Sequence, residues 1–347
     1  MNDQVKNKPL KLCLLPALYL AYLIVAAIPL SVSIFRPGIT GYERAVFEDM
    51  IYGKAHKPFV KRQLVPLIVR GTTHLIPGPT KTFLQKKFSQ SKLINQLGWT
   101  PEYASEFLLA LLIMYGSLIG FLVVLRLFIL YFLNISSTLS HIAVLAVGLG
   151  LPCTFVYKVY IYDFTQLLLF TACLLLLYQQ KWRLFYPIYI LSCLNKETSI
   201  LLPVVFLFCF TTNVLKRPAL WHLLSQIIIG LGIYSLIGYI FRDNPGGAIE
   251  WHLRHNIARP FIISGFGKLR LIIFILFILL SLSKLHQAPV FLKRSLIATL
   301  PPLMCLAFLF GHFDELRDYY EALPLIYTLT LVAIGQKFGI GFRSTLI

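Results

Sequence analysis

The stretch LSCLNKETSILLP, residues 191–203, sets Asn195, Lys196, Glu197 and Thr198 between two apolar runs. An isolated charge at membrane depth is expensive, so the ammonium and the carboxylate either neutralise each other or line a wet cavity. In the first case the stretch is a structural turn, with Asn195 and Thr198 satisfying freed backbone groups. In the second, Lys196 reaches an anionic group from the outer leaflet. A second concentration of chemistry, HFDELRDYYE (312–321), gathers Asp314, Glu315, Asp318 and Glu321 around Arg317. It reads as a helix start capped by Asp314, as a carboxylate site for a divalent cation such as Mg or Mn, or as an arginine clamp for phosphate. GYERAVFEDM brings Glu43, Glu48 and Asp49 close to the first apolar run, at about the head-group level. WHLRH (251–255) sets His252 and His255 three apart, but two imidazoles with no third ligand nearby in sequence are more often structural than metal-binding.

The elements that must position these groups are membrane helices. Of 347 residues, 57% are hydrophobic and 13% charged, with a mean hydropathy of +0.74, which excludes an ordinary soluble domain. About ten apolar spans are expected, at 12–35, 106–132, 141–157, 164–180, 184–194, 198–213, 220–241, 271–283, 296–311 and 323–337. Several are short for the roughly 20 residues of a full crossing, so tilted or half-depth helices are expected there. The fold class is therefore an all-α polytopic membrane protein, a single membrane domain over residues 1–347 without a separate soluble domain. Basic residues at alternate turns, among them Lys6, Arg126, Lys181, Lys216, Lys284 and Lys337, put both termini in the cytoplasm and leave Asp3 as the one carboxylate inside.

The long first outer loop, 36–105, includes KTFLQKKFSQSKLINQLGW, whose Leu84, Phe88, Leu93 and Leu97 share one side apart from the lysines. That pattern predicts an amphipathic helix in the interface, anchored by Trp99. A net charge of +18 with no nucleic-acid module favours anionic lipid head groups as partner, not nucleic acid. The six cysteines all fall in apolar spans and predict no disulfide framework. No P-loop, GxSxG, HExxH or dinucleotide-binding glycine motif is present.

The order of features resembles the integral-membrane glycosyltransferases of the GT-C fold: acidic residues in a long first outer loop, YDFTQLLLFTACLLLL (162–177), LNKETSILLPVVF (194–206) and a late ELRDYYEALPLI (315–326). The resemblance covers most of the chain through short motifs. It departs from the commoner pattern in lacking a DxD-like pair early in the first loop. It implies transfer of a sugar from a polyprenyl-phosphate donor to an acceptor on the outer face, in a bacterial inner membrane or, alternatively, the endoplasmic reticulum. By resemblance and chemistry together, Glu43 is the expected general base with Asp49 as runner-up, and Asp163 orients acceptor or metal. Lys196, Arg317 and Arg62, with Glu197 beside them, hold the lipid phosphate. The rival readings are a transporter or flippase for an anionic lipid or solute, and a non-catalytic subunit of an envelope-assembly system.

Overall fold

A computed structural model describes residues 8–35, 38–40, 42–210, 217–247, 251–263 and 265–343. Asp3, Lys6 and Lys216, and with them the sidedness of the termini, lie outside the described residues. The protein is all-α and polytopic. A helix falls on each of the ten predicted apolar segments, from Lys8–Phe35 to Leu323–Gly335, and among the described residues the strand content is one two-residue antiparallel pair, Leu133–Asn134 with Gly341–Phe342. Among the described residues five helical stretches are long and apolar enough to cross a membrane: Pro16–Phe35, Pro101–Phe132, Ser137–Thr154, Pro218–Ile240 and Val290–Phe310. A sixth exists if Leu253–Ile262 and Gly267–Ser283, bent by 109°, form one broken span. Asp163–Tyr178, Glu197–Cys209 and Leu323–Phe338 are apolar but shorter.

The long helix Ala104–Phe132 carries the core: it packs on Asp163–Tyr178 and Ser137–Gly150 and buries Phe107, Met114, Phe121, Phe128 and Phe132. Trp182–Asn195 packs on Asp163–Tyr178, so the far end of one helix and the start of the other meet. This meeting positions the site. The chain breaks at Lys196, whose extended backbone (φ −157°, ψ 141°) separates Trp182–Asn195 from the single turn Glu197–Ile200 and the helix Leu201–Cys209. At the break the Tyr234 hydroxyl shares its proton between Lys196 O (3.1 Å) and Glu197 O (2.8 Å), and Ser199 N also donates to Lys196 O at 3.2 Å.

The first loop folds into short helices, Phe47–Tyr52, Leu64–Leu75, Gly78–Ser89 and Lys92–Leu97. Two expectations are corrected here. The predicted continuous amphipathic helix is split at Ser91, whose hydroxyl accepts from Ile94 N and starts a new helix. Trp99 is buried instead of serving as an interfacial anchor, because Phe107 stacks on it at 4.4 Å and Phe88 flanks it at 6.5 Å. Phe83 and Leu93 are the exposed apolar residues of this region, beside exposed Lys86, Lys87 and Lys92.

Candidate functional site

Four segments distant in sequence meet at the break after Asn195. Arg62 follows the short turn Phe59–Lys61, and the next residue ties it to the break, since Gln63 N donates to Leu194 O at 2.9 Å. Asn195 is wholly buried and its amide donates to Tyr162 O (3.0 Å) and Gln166 Oε1 (3.1 Å), which fixes the start of Asp163–Tyr178 beside Lys196. The fourth segment is 311–322, between Val290–Phe310 and Leu323–Gly335.

The charges carried by these segments form one network. Arg62 makes a fork with Glu197, Nε to Oε2 at 3.1 Å and Nη2 to Oε1 at 2.6 Å, donates to the Tyr162 hydroxyl, and lies 4.4 Å over the Tyr162 ring. Arg317 Nη1 reaches Asp163 Oδ2 at 2.9 Å, its other nitrogens hold Glu315, and its guanidinium sits 4.3 Å over Tyr160. Asp163 also accepts from Tyr160 N at 2.8 Å, at the start of its own helix, where the dipole favours a carboxylate. Lys196 is paired with Glu321, not with its neighbour Glu197: Nζ lies 3.4 Å from Glu321 Oε1, which also accepts from Thr198. Asp163, Lys196, Glu315, Arg317 and Glu321 are buried, whereas Glu197 stands at the rim with 46% of its side chain exposed.

The remaining predicted residues lie elsewhere or play other parts. Glu43 is exposed and makes no contact with the network among the described residues. Asp49 lines a cavity of about 270 Å³ with Glu48, Tyr52, Lys54 and Tyr103. Asp314 does not cap a helix. It takes Arg259 Nε at 3.0 Å and the Tyr157 hydroxyl at 3.1 Å. His252 and His255 pack on His312, with ring centres 4.6 and 4.8 Å away. Among the described residues no group of three or more His, Cys, Asp or Glu is arranged to hold a metal ion, because Asp314 and Glu315 each turn to an arginine. Within the acidic run, Asp314 and Glu315 serve as the partners of Arg259 and Arg317.

Sequence reasoning missed Tyr160 and Tyr162 as platforms for the two arginines and Glu321 as the counter-ion of Lys196. The alternation KVYIYD, with aromatics two apart before an acid, was the available signal for the tyrosines. No protein-family model, curated protein or solved structure matches the chain.

The network brings Arg62, Lys196 and Arg317 together with the carboxylates of Asp163, Glu197, Glu315, Asp318 and Glu321. Acid outnumbers base, so one carboxylate is driven toward its protonated form. That one is Asp318, in the short turn Leu316–Tyr319. Burial, then the charge of Glu315, raises its pKa to about 7 against the pull of Lys196, Arg317 and Arg62. The unfolded chain releases this proton near its ordinary value of about 4, while the folded protein keeps it. Stability attached to Asp318 is thus complete below pH about 4 and is lost as pH rises through about 7. Thermal unfolding, followed by dye labelling of the buried thiols Cys173 and Cys193, is expected to shift downward over that window in the wild type. The slope should flatten in Asp318→Asn.

A second cavity, also about 270 Å³, adjoins the network on its apolar side. It is walled by Val147 and Leu151, by Phe274 with Arg270 at its edge, and by Leu316 and Tyr319, which flank Arg317 and Asp318 in the chain. A charged cluster next to an apolar hollow suits a ligand with a polar head and a hydrocarbon tail.

Proposed function

We propose that this protein is a membrane glycosyltransferase of GT-C-like fold that takes a sugar from a polyprenyl-phosphate donor and passes it to an acceptor on the outer face of the membrane. The observation that carries this reading is the buried network at the Lys196 break, built from four segments and bordered by an apolar cavity. Structural ion pairs alone would not need such an arrangement, since a well-packed apolar substitute is often as stable as a buried salt bridge.

In this reading the prenyl tail lies in the cavity lined by Val147, Phe274 and Tyr319. The donor phosphate replaces Glu197 at Arg62, because Glu197 is the one partner of the network free to swing into solvent. Arg62 offers a planar fork suited to phosphate oxygens, and Lys196, held by a single 3.4 Å contact, retains donors for the leaving group. Cations fixed in a water-poor site stabilise the charge that develops on the departing phosphate. The short apolar helices 163–178, 182–195, 197–209 and 323–335 then complete about ten tilted or half-depth crossings. A bacterial inner membrane is the natural setting for such a donor.

The donor site is tested by titrating the purified chain in lipid nanodiscs with polyprenyl phosphate. Arg62→Gln is expected to weaken binding by about tenfold or more, the worth of a lost charged hydrogen bond. Glu197→Gln, which removes the competing anion, is expected to tighten it. Equal affinity in the wild type and both variants would remove the phosphate from this end of the network.

A further inference from the structure

We propose that Asp318 is the group that takes the proton from the acceptor hydroxyl, an inference that rests on the transferase reading.

The argument begins with what each carboxylate of the network already does. Asp163 is fixed by Arg317 and by the Tyr160 amide. Glu315 is held by two nitrogens of Arg317. Glu321 is wholly buried and shared between Lys196 and Thr198, and Glu197 is clasped by the Arg62 fork. A carboxylate locked in an ion pair is a poor proton acceptor, because its cation lowers its basicity. Alone in the network, the Asp318 carboxylate makes no hydrogen bond or ion pair among the described residues, and the residue is half-buried, so a hydroxyl can reach it.

Three further observations converge on it. Asp318 shares its short turn with Leu316 and Tyr319, which wall the apolar cavity, and with Arg317 of the network, so it stands where tail site and charge site meet. Gly311 backs it closely: a Cβ at that glycine would lie 2.9 Å from Asp318 Oδ2, so a side chain there would displace the carboxylate from its present place. Nearby, Glu321 Oε2 is buried with no hydrogen-bond partner among the described residues, an acceptor that a bound polyol would satisfy. The affinity of Asp318 for a proton, poised near neutrality, then suits an acid–base group that must load and unload at working pH.

The step balances as an inverting displacement. The acceptor O–H bond breaks and its proton passes to an Asp318 oxygen while the acceptor oxygen bonds to the anomeric carbon. The bond from that carbon to the phosphate oxygen breaks on the opposite face, and its electron pair leaves with the lipid phosphate. Asp318 then returns the proton to solvent on the outer face. Neither oxidant nor metal redox change is required.

The test uses the full chain in proteoliposomes, supplied with a panel of labelled polyprenyl-phosphate hexoses and pentoses, with release of polyprenyl phosphate as the readout. Asp318→Asn is expected to lower kcat by about 10²–10⁴-fold with little change in donor KM. Wild-type kcat/KM should fall on the acid side of pH about 7, and the residual rate of Asp318→Asn should lose that limb. Asp243→Asn, at an exposed position whose partner is Arg242 and not a residue of the network, serves as the control with unchanged turnover. A readout independent of turnover is the infrared carbonyl band of a protonated carboxyl, expected to fade through about pH 7 and to be missing from Asp318→Asn. A wild-type rate and pH profile in Asp318→Asn would overturn the assignment, as would abolition of transfer by Glu43→Gln with Asp318→Asn still active; both leave the transferase reading standing. A wild-type protein that consumes none of the donors overturns that reading and this assignment with it.

Discussion

Arg317→Met is expected to lower the unfolding free energy by about 3–5 kcal/mol, the cost of stripping the cation from buried carboxylates, and to abolish transfer. The guanidinium is 9% exposed and holds Asp163 and Glu315 at once, so its loss leaves two buried acids facing each other near Asp318 and Glu321. The pair of acids cannot escape to water, because Asp163 is anchored at its helix start and Glu315 at the base of a tight turn. Arg317→Lys keeps the charge but not the fork that spans both carboxylates, and should fall between wild type and Arg317→Met. Thermal unfolding read by labelling of Cys173 and Cys193 measures the stability arm. A wild-type midpoint in Arg317→Met would mean that the two acids are not held as described.

The second large effect concerns the residue pair that answers why an ammonium sits in an apolar run. Lys196→Met leaves Glu321, which is wholly buried, with Thr198 as its one partner among the described residues, and a loss of about 3 kcal/mol or more is expected. Glu321→Gln strands Lys196 instead and should cost a comparable amount. The double variant removes both charges from the interior, so its loss should be clearly smaller than the two single losses combined, with a coupling of about 1–3 kcal/mol. Strict additivity in this cycle would show that Lys196 and Glu321 do not share one ion pair. Glu197→Gln offers the contrast. Its side chain is at the rim, where solvent screens the pair with Arg62, and its effect on stability should be slight.

Much of this architecture was legible because membrane helices announce themselves by composition. Each apolar run became a helix, since lipid leaves the backbone no other way to satisfy its polar groups. The break at Lys196 was legible for the same reason, as a charge pair inside an apolar run has few places to go. Which carboxylate Lys196 would choose was not legible. Glu197 is adjacent in sequence, but the extended backbone at Lys196 turns the two side chains apart and delivers Lys196 to Glu321. Nothing in the local spacing records that pairing, because it depends on how Leu323–Gly335 and its preceding loop return to the site.

Trp99 illustrates a different limit. A tryptophan after a basic amphipathic stretch fits an interfacial anchor, yet Phe107 on the following long helix offers a stacking partner that buries it. Local pattern gives the amphipathicity, and tertiary contact decides the depth. The candidate base shows the same division. Glu43 is favoured by its place in the first loop, whereas Asp318 stands out only when the partners of every other carboxylate are known. A poised acid is defined by what its neighbours are already doing.

The most direct test of the account is turnover of the purified full chain in proteoliposomes with labelled polyprenyl-phosphate sugars. The account predicts release of polyprenyl phosphate in the wild type and a marked reduction of it in Arg317→Lys under conditions where that variant still unfolds cooperatively. Donor binding without turnover for every sugar in the panel, or turnover unchanged in Arg317→Lys, would contradict it.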